Sequence, residues 1–159
     1  MCIELPGGDT LERRRRMRVE RSITIGRPVE QVFGFVSTPK NDPQWVSASV
    51  WHEQTSSGPI GVGTTTEEDV RFLGRRMRYT WEVTAYESPH AFAIRSLSGV
   101  LPSTIQVRLE PVGDTTRLTV AIETELVGAS RLAGSLMKVM IGRQIERQLR
   151  TLQGLLEHR

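Results

Sequence analysis

The last thirty residues constrain this chain most. From Ala129 to Glu157 it reads ASRLAGSLMKVMIGRQIERQLRTLQGLLE, without a proline and with apolar side chains at helical spacing. Before this stretch come about seven segments with the period-two alternation of strands. One long closing helix after a run of antiparallel strands predicts a sheet that curls around the helix. That geometry leaves a gap between helix and sheet, and such a gap is a place for a ligand.

The helix is not uniform. At about 100° per residue, Leu132, Leu136, Val139 and Met140 fall on one side, and Ile145, Leu149, Leu152 and Leu156 fall nearly opposite. The change comes at Gly142, a weak helix former. The second half is expected to pack on the sheet. The first half, with Met137 and Met140, is expected to border a pocket mouth or a partner.

The preceding segments read in order. Val19, Ile23 and Ile25 share one face of the first strand, with Arg21 breaking the apolar row. Pro28 opens a short helix striped by Val29, Val32, Phe33 and Val36. Thr38 to Trp45, punctuated by Pro39 and Pro43, is a turn or second short helix, with Trp45 capping the core. Strands are expected over Ala48–Gln54, Thr64–Leu73, Arg75–Tyr86, Ala91–Leu97, Ser103–Glu110 and Arg117–Leu126. Gly74 marks a hairpin turn, and Ser56–Gly63 is a loop.

Composition narrows the classes. A chain of 159 residues with 38% hydrophobic and 25% charged residues suits one soluble globular domain. No stretch reaches the roughly 20 apolar residues of a membrane span. Met1 to Gly8 lacks the basic start and long apolar run of a secretory signal. Cys2 is the only cysteine, so no internal disulfide can form, and a cytoplasmic location is expected. The run Arg13–Arg16 invites a nucleic-acid reading, but Glu4, Asp9 and Glu12 leave residues 1–17 at a net +1, and no aromatic residue is interleaved to stack bases. Nucleic acid is therefore not expected as a partner. Residues 1–16 read as a flexible basic arm, and residues 17–158 as a single domain.

Several motifs resemble a known family. They are Ile23-Thr24-Ile25 leading into Pro28-Val29-Glu30-Gln31-Val32-Phe33, Trp45 after a proline-containing turn, Gly61-Val62-Gly63-Thr64, Tyr79-Thr80-Trp81-Glu82-Val83, and the closing Leu152-Gln153-Gly154-Leu155-Leu156-Glu157. Over about Met17 to Glu157, this order is similar to the START-like (SRPBCC) superfamily and its polyketide cyclase/dehydrase members. The resemblance implies the α+β helix-grip fold. That is a curved antiparallel sheet of about seven strands around a long C-terminal helix, with two short helices between strands 1 and 2. It also implies a hydrophobic cavity for a lipid, a polyketide or a similar molecule. The fold alone does not choose among carriers, enzymes and regulators.

Candidate site residues come from strand parity. Val70 and Phe72 place Glu68 and Thr66 inward, and Arg21 is inward on the first strand. Buried charges need partners or a purpose, so Arg21 and Glu68 are candidate polar anchors for a ligand. Their alternative is an ordinary side-chain pair. The expected cavity wall is Phe72, Met77, Tyr79, Trp81, Phe92, Ile105, Val107, Val120, Met137 and Met140. Glu68, Tyr79 and Arg21 are also the available cast for acid–base chemistry in a cyclase or dehydratase. No serine or cysteine nucleophile motif is present. His52, His90 and His158 lie far apart without ligand spacing, so neither a metal nor a cofactor is expected. The leading expectation is a carrier or sensor of a small hydrophobic molecule. The alternatives are a polyketide cyclase or dehydratase, and a regulatory protein that pairs through Leu132, Leu136, Lys138 and Met140 with a dimer mate or a membrane surface.

Overall fold

The computed structural model describes residues 15–126 and 131–159. The arm expected over residues 1–16 lies, up to residue 14, outside the described residues, as do Cys2 and the first two residues of the Ala129–Glu157 stretch. β1 spans Arg15–Ile25, so the first strand begins two residues before Met17. A helix α1 (Val29–Val36) and a 3-10 helix (Pro39–Gln44) follow. Six more strands complete one sheet: β2 (Ser49–Gln54), β3 (Thr65–Phe72), β4 (Arg75–Glu87), β5 (Ala91–Ser98), β6 (Ser103–Val112) and β7 (Thr115–Leu126). The long helix α2 runs from Arg131 to Glu157.

All seven strands are antiparallel in the order β1-β7-β6-β5-β4-β3-β2. Chain neighbours pair by hairpins from β2 to β7, and β1 closes against β7, with Ile23 opposite Leu118 and Val19 opposite Ile122. The alternation read from the sequence holds: Val107 and Leu109, and Leu118 and Val120, are buried. Each such fully buried aliphatic side chain contributes about 1.5–3 kcal/mol.

α1 forms because Val29, Val32, Phe33 and Val36 make a buried stripe, joined by Phe35. Glu30 in its first turn favours the positive end of the helix dipole. Thr38 Oγ1 donates to the Gly34 carbonyl at 2.7 Å and closes the helix end.

The second half of α2 clamps the sheet. Ile145, Leu149, Leu152 and Leu156 are buried in the same core as Val19, Ile25, Leu118 and α1. Its end is tied down by Arg27, whose guanidinium donates to the carbonyls of Leu156, Glu157 and Arg159 and so supplies partners that a helix C-terminus otherwise lacks. Glu157 accepts from the Gly26 N–H at 2.8 Å. The first half is different. Leu132, Leu136, Val139 and Met140 are exposed, and only Met137 and Ile141 lean on the core.

Gly142 divides the halves for a local reason. It is buried over Arg21, and a Cβ there would overlap Arg21 Nη2. The missing side chain lets the guanidinium pass under the helix and bond Glu146 Oε1 at 2.9 Å. No helix among the described residues is long and apolar enough to cross a membrane.

Candidate functional site

The sheet's inner face carries a buried polar cluster where β2, β3, β4 and the 3-10 helix meet. His52 on β2 stands opposite Glu68 on β3. Its Nδ1 lies 2.7 Å from Asp42 Oδ2, and its Nε2 lies 2.8 Å from Thr66 Oγ1. Glu68 Oε2 accepts from Trp81 Nε1 at 2.9 Å. His52, Thr66, Glu68 and Trp81 are all buried.

A bulge makes this grouping. The β2–β3 register shifts between Ser49 and Trp51. Ser49 and His52, three residues apart, are therefore both buried against β3, whereas simple alternation would put them on opposite faces. Trp51 is turned to the other face, where Arg78 stacks over its ring at 5.5 Å. The 3-10 helix, started by Pro39, then drops Asp42 onto the imidazole.

The electrostatics are those of acids short of cations. Burial pushes the Glu68 carboxyl above its ordinary value, and the neighbouring imidazole and the Ser49 hydroxyl only partly offset this. Burial likewise raises Asp42, opposed by its hydrogen bond with His52. The Ser49 hydroxyl and the Trp45 indole N–H are buried without a well-formed hydrogen bond, although they lie close enough to Glu68 and Asp42 to favour their charged forms. An ionised Asp42 can only accept, so His52 then donates from Nδ1, and a neutral imidazole accepts a hydrogen bond from the Thr66 hydroxyl at Nε2. A proton on Asp42 permits the reverse.

Asp42, His52 and Glu68 bring one possible metal-ligand atom each to within 4.8 Å of one another. Ligands on opposite sides of a cation bound at about 2.1 Å are only ~4.2 Å apart. Both imidazole nitrogens are also engaged in hydrogen bonds. The cluster as folded is thus a hydrogen-bonded acid–base set, and a cation would have to draw its members closer.

The cluster opens on an apolar cavity of about 40 Å³, where Asp42, His52 and Thr66 meet Val83, Tyr86, Phe92 and Ile94. Ile60, from the loop between β2 and β3, also lines it. Phe33 holds Tyr86 and Phe92 edge-on at 5.5 and 5.9 Å.

The residues singled out from the sequence distribute as follows. Glu68 and Trp81 are hydrogen-bonded partners in the cluster, and Phe92 lines the cavity. Tyr79 stacks on Trp81 at 5.2 Å, and its hydroxyl accepts from the Leu101 N–H at 3.4 Å rather than pointing into the cavity. The turn after β5 lies against the Tyr79 ring because Gly99 has no Cβ to obstruct it. Arg21 is not beside Glu68. It lies under α2, paired with Glu146 and donating to the Glu20 carbonyl. Val107 and Val120 are packed core, with Ile105 and Met137 leaning on it. Phe72 and Met140 are exposed, and Met77 is half-buried. Asp42 and His52 do not stand out from the sequence, while the parity of β3 places Thr66 inward without giving it a role. Spacing along the chain does not bring the histidines near any ligand, whereas pairing the two strands sets His52 opposite Glu68.

The sequence matches the family described as "Polyketide cyclase / dehydrase and lipid transport" over residues 16–157. No curated protein matches the chain. Among solved structures, the Zhui aromatase/cyclase of Streptomyces sp. R1128 superposes with a TM-score of 0.76 at 15% identity, over 91% of this chain and 96% of that one. A START superfamily protein of Mycobacterium smegmatis gives 0.77 at 18% identity, over 89% and 97%. The di-domain ARO/CYC BexL of the BE-7585A biosynthetic pathway gives 0.71 at 14% identity, over 87% of this chain and 45% of that one. These likenesses carry the helix-grip fold. With a match over nearly its whole length, the chain belongs to the polyketide cyclase / dehydrase and lipid transport family.

Proposed function

We propose that the protein binds a small, largely hydrophobic molecule of lipid or polyketide character against the inner face of the sheet. Its polar group meets Asp42, His52 and Thr66 where they line the cavity, with Glu68 behind them. The observation that carries this reading is a buried set of ionisable groups, short of a cation, opening on an apolar cavity. Such a wall with a few convergent polar groups is how small-molecule sites obtain orientation and specificity. The cavity of about 40 Å³ holds little more than water. A ligand of several hundred Å³ therefore needs the fold to open. The Ile60 loop is the proposed gate. Gly58 and Gly63 flank it in left-handed conformations, at φ +91° and +89°. Native mass spectrometry of the protein as expressed tests the reading. A hydrophobic adduct released by mild denaturation is expected, with its occupancy altered by His52→Ala. A bare protein that also takes up no lipid or aromatic polyketide from a panel would sink it.

The second reading, a cyclase or dehydratase, is favoured by the Thr66–His52–Asp42 chain of hydrogen bonds. A base oriented by a carboxylate, beside an acid whose pKa burial has raised, is what loss of water needs. His52 would take the proton beside the carbonyl, Glu68, reached once the fold opens to admit the substrate, would give one to the leaving hydroxyl, and a double bond and water result. Glu68→Gln separates the readings. A carrier keeps its ligand and its function, whereas an enzyme keeps product binding and loses turnover.

A further inference from the structure

One end of the sheet gathers features that the interior ligand does not use. The registers place the start of β1, the end of β3, the start of β4, the end of β5, the start of β6 and the end of β7 together there. α2 starts at the same end, since Gly134 lies against Leu126, while its far end reaches Gly26. Here the β3–β4 hairpin tip exposes Phe72 and Leu73, the end of β5 and the turn after it expose Leu97 and Val100, and α2 exposes Leu132 and Leu136.

Leu73 is the most telling of these. It is 83% exposed and has φ +50°. A bulky side chain rarely adopts that conformation, and hairpin tips of this kind favour asparagine or glycine. Leucine here is strained and gains almost no burial in return. Backbone strain of this sort clusters at functional positions.

The apolar tips are set among cations. Arg71, Arg75 and Arg76 surround Leu73, and Arg16, Arg18, Arg131 and Lys138 rim a cavity of about 320 Å³ floored by Met17 and Leu126. Arg76 is paired with Asp69, and Arg18 with Glu20 and Glu123. Among the described residues, Arg16, Arg71, Arg75, Arg131 and Lys138 make no ion pair.

We infer that this end of the molecule docks on an anionic phospholipid bilayer. Leucines and valines on separate tips enter the interfacial layer, and unpaired arginines and lysine meet the phosphates, the pattern of two weak signals that together hold a protein at a membrane surface. A second copy fits less well, because two such basic rims would repel. Nucleic acid fits less well because the exposed apolar side chains are mainly aliphatic rather than stacking platforms. The inference is independent of the interior ligand.

The test is co-sedimentation of the full chain with vesicles of phosphatidylcholine alone and of phosphatidylcholine with phosphatidylglycerol at roughly 2:1. Binding only to the anionic vesicles is expected, with loss at about 1 M salt, where the screening length falls to ~3 Å. Leu73→Asn suits the left-handed turn, so the variant should keep or raise its melting temperature while binding at least about fivefold more weakly. Arg71→Gln with Arg75→Gln should weaken binding on the order of tenfold or more. Equal binding to neutral and anionic vesicles, no binding by the full chain, or wild-type binding by folded Leu73→Asn and by the double variant would overturn the inference. So would salt-resistant self-association that Leu136→Asp abolishes without vesicle binding.

Discussion

The two halves of α2 belong to one continuous helix and do opposite things. From Ile145 to Leu156 the apolar face is sealed in the core, and Arg27 and Gly26 hold the helix end. From Leu132 to Met140 the apolar face is turned to solvent beside the open end of the sheet. Hydrophobicity alone does not separate them, since both stripes are leucine-rich. Phase does: the two stripes lie nearly opposite on the helix, and the sheet can cover only one. The difference teaches that in this molecule packing stability and exposed apolar surface are partitioned along a single element, with Gly142 and Arg21 at the division.

The comparison breaks first at the clamp. Leu152→Ala removes a fully buried side chain and should cost about 2–5 kcal/mol in urea unfolding. Leu136→Ala should stay within about 0.5 kcal/mol. Similar losses for both would mean that the first half is packed in solution, and the partition would fail.

Next in size is His52→Ala, in the cluster between the two ends. It strips hydrogen-bond partners from Asp42 and Thr66 and should cost about 1–3 kcal/mol. His52→Asn, which can still bond one side, should recover part of that loss. A melting curve unchanged by either variant would show that the hydrogen-bonded chain is not maintained.

The pH dependence follows from the raised carboxyls. The folded state holds protons on Asp42 and Glu68 more tightly than the unfolded chain does, from ordinary values of 3.8 and 4.5. Between those values and the raised folded ones the native state binds more protons, so their contribution to stability falls as pH rises through that interval. Glu68→Gln removes its share. The stability of the wild type minus that of the variant should decline from mild acid toward neutral pH, as read by denaturant midpoints across pH. A difference that rises instead would place Glu68 in an environment that favours its charge.

The smallest effect is expected at the division. Gly142→Ala gains about 1 kcal/mol of helix propensity but forces the Arg21 guanidinium aside from Glu146, a half-exposed pair worth at most about 1 kcal/mol. A net change within about 0.5 kcal/mol is expected. A large loss would show that Arg21 does more than pass beneath the helix.

Much of this architecture was readable before the fold was known. The period-two rows of β6 and β7, Pro28 before α1, and the reversal of phase in α2 all follow from side chains that must be covered and from a backbone with two periodicities. Glu68 was legible as an inward charge for the same reason. Arg21 was legible as inward as well, but the sequence left its partner open between a ligand and another side chain. Asp42, His52 and Thr66 were not legible as a group. They are 10 and 14 residues apart along the chain, and on β2 the bulge breaks the parity rule that worked elsewhere.

What the sequence determined by itself is therefore the kind of container: seven alternating strands, two short helices, and a closing helix with one stripe to bury and one to spare. Local periodicity carries that information, because each strand or helix must hide its own apolar face. The tertiary structure alone decided what sits on the container's wall. The β2 bulge, the β2–β3 register and the angle of the 3-10 helix bring Asp42, His52 and Thr66 within hydrogen-bonding reach, with Glu68 close by. Those are long-range placements, set by how strands pair and helices pack, and no spacing along the chain encodes them.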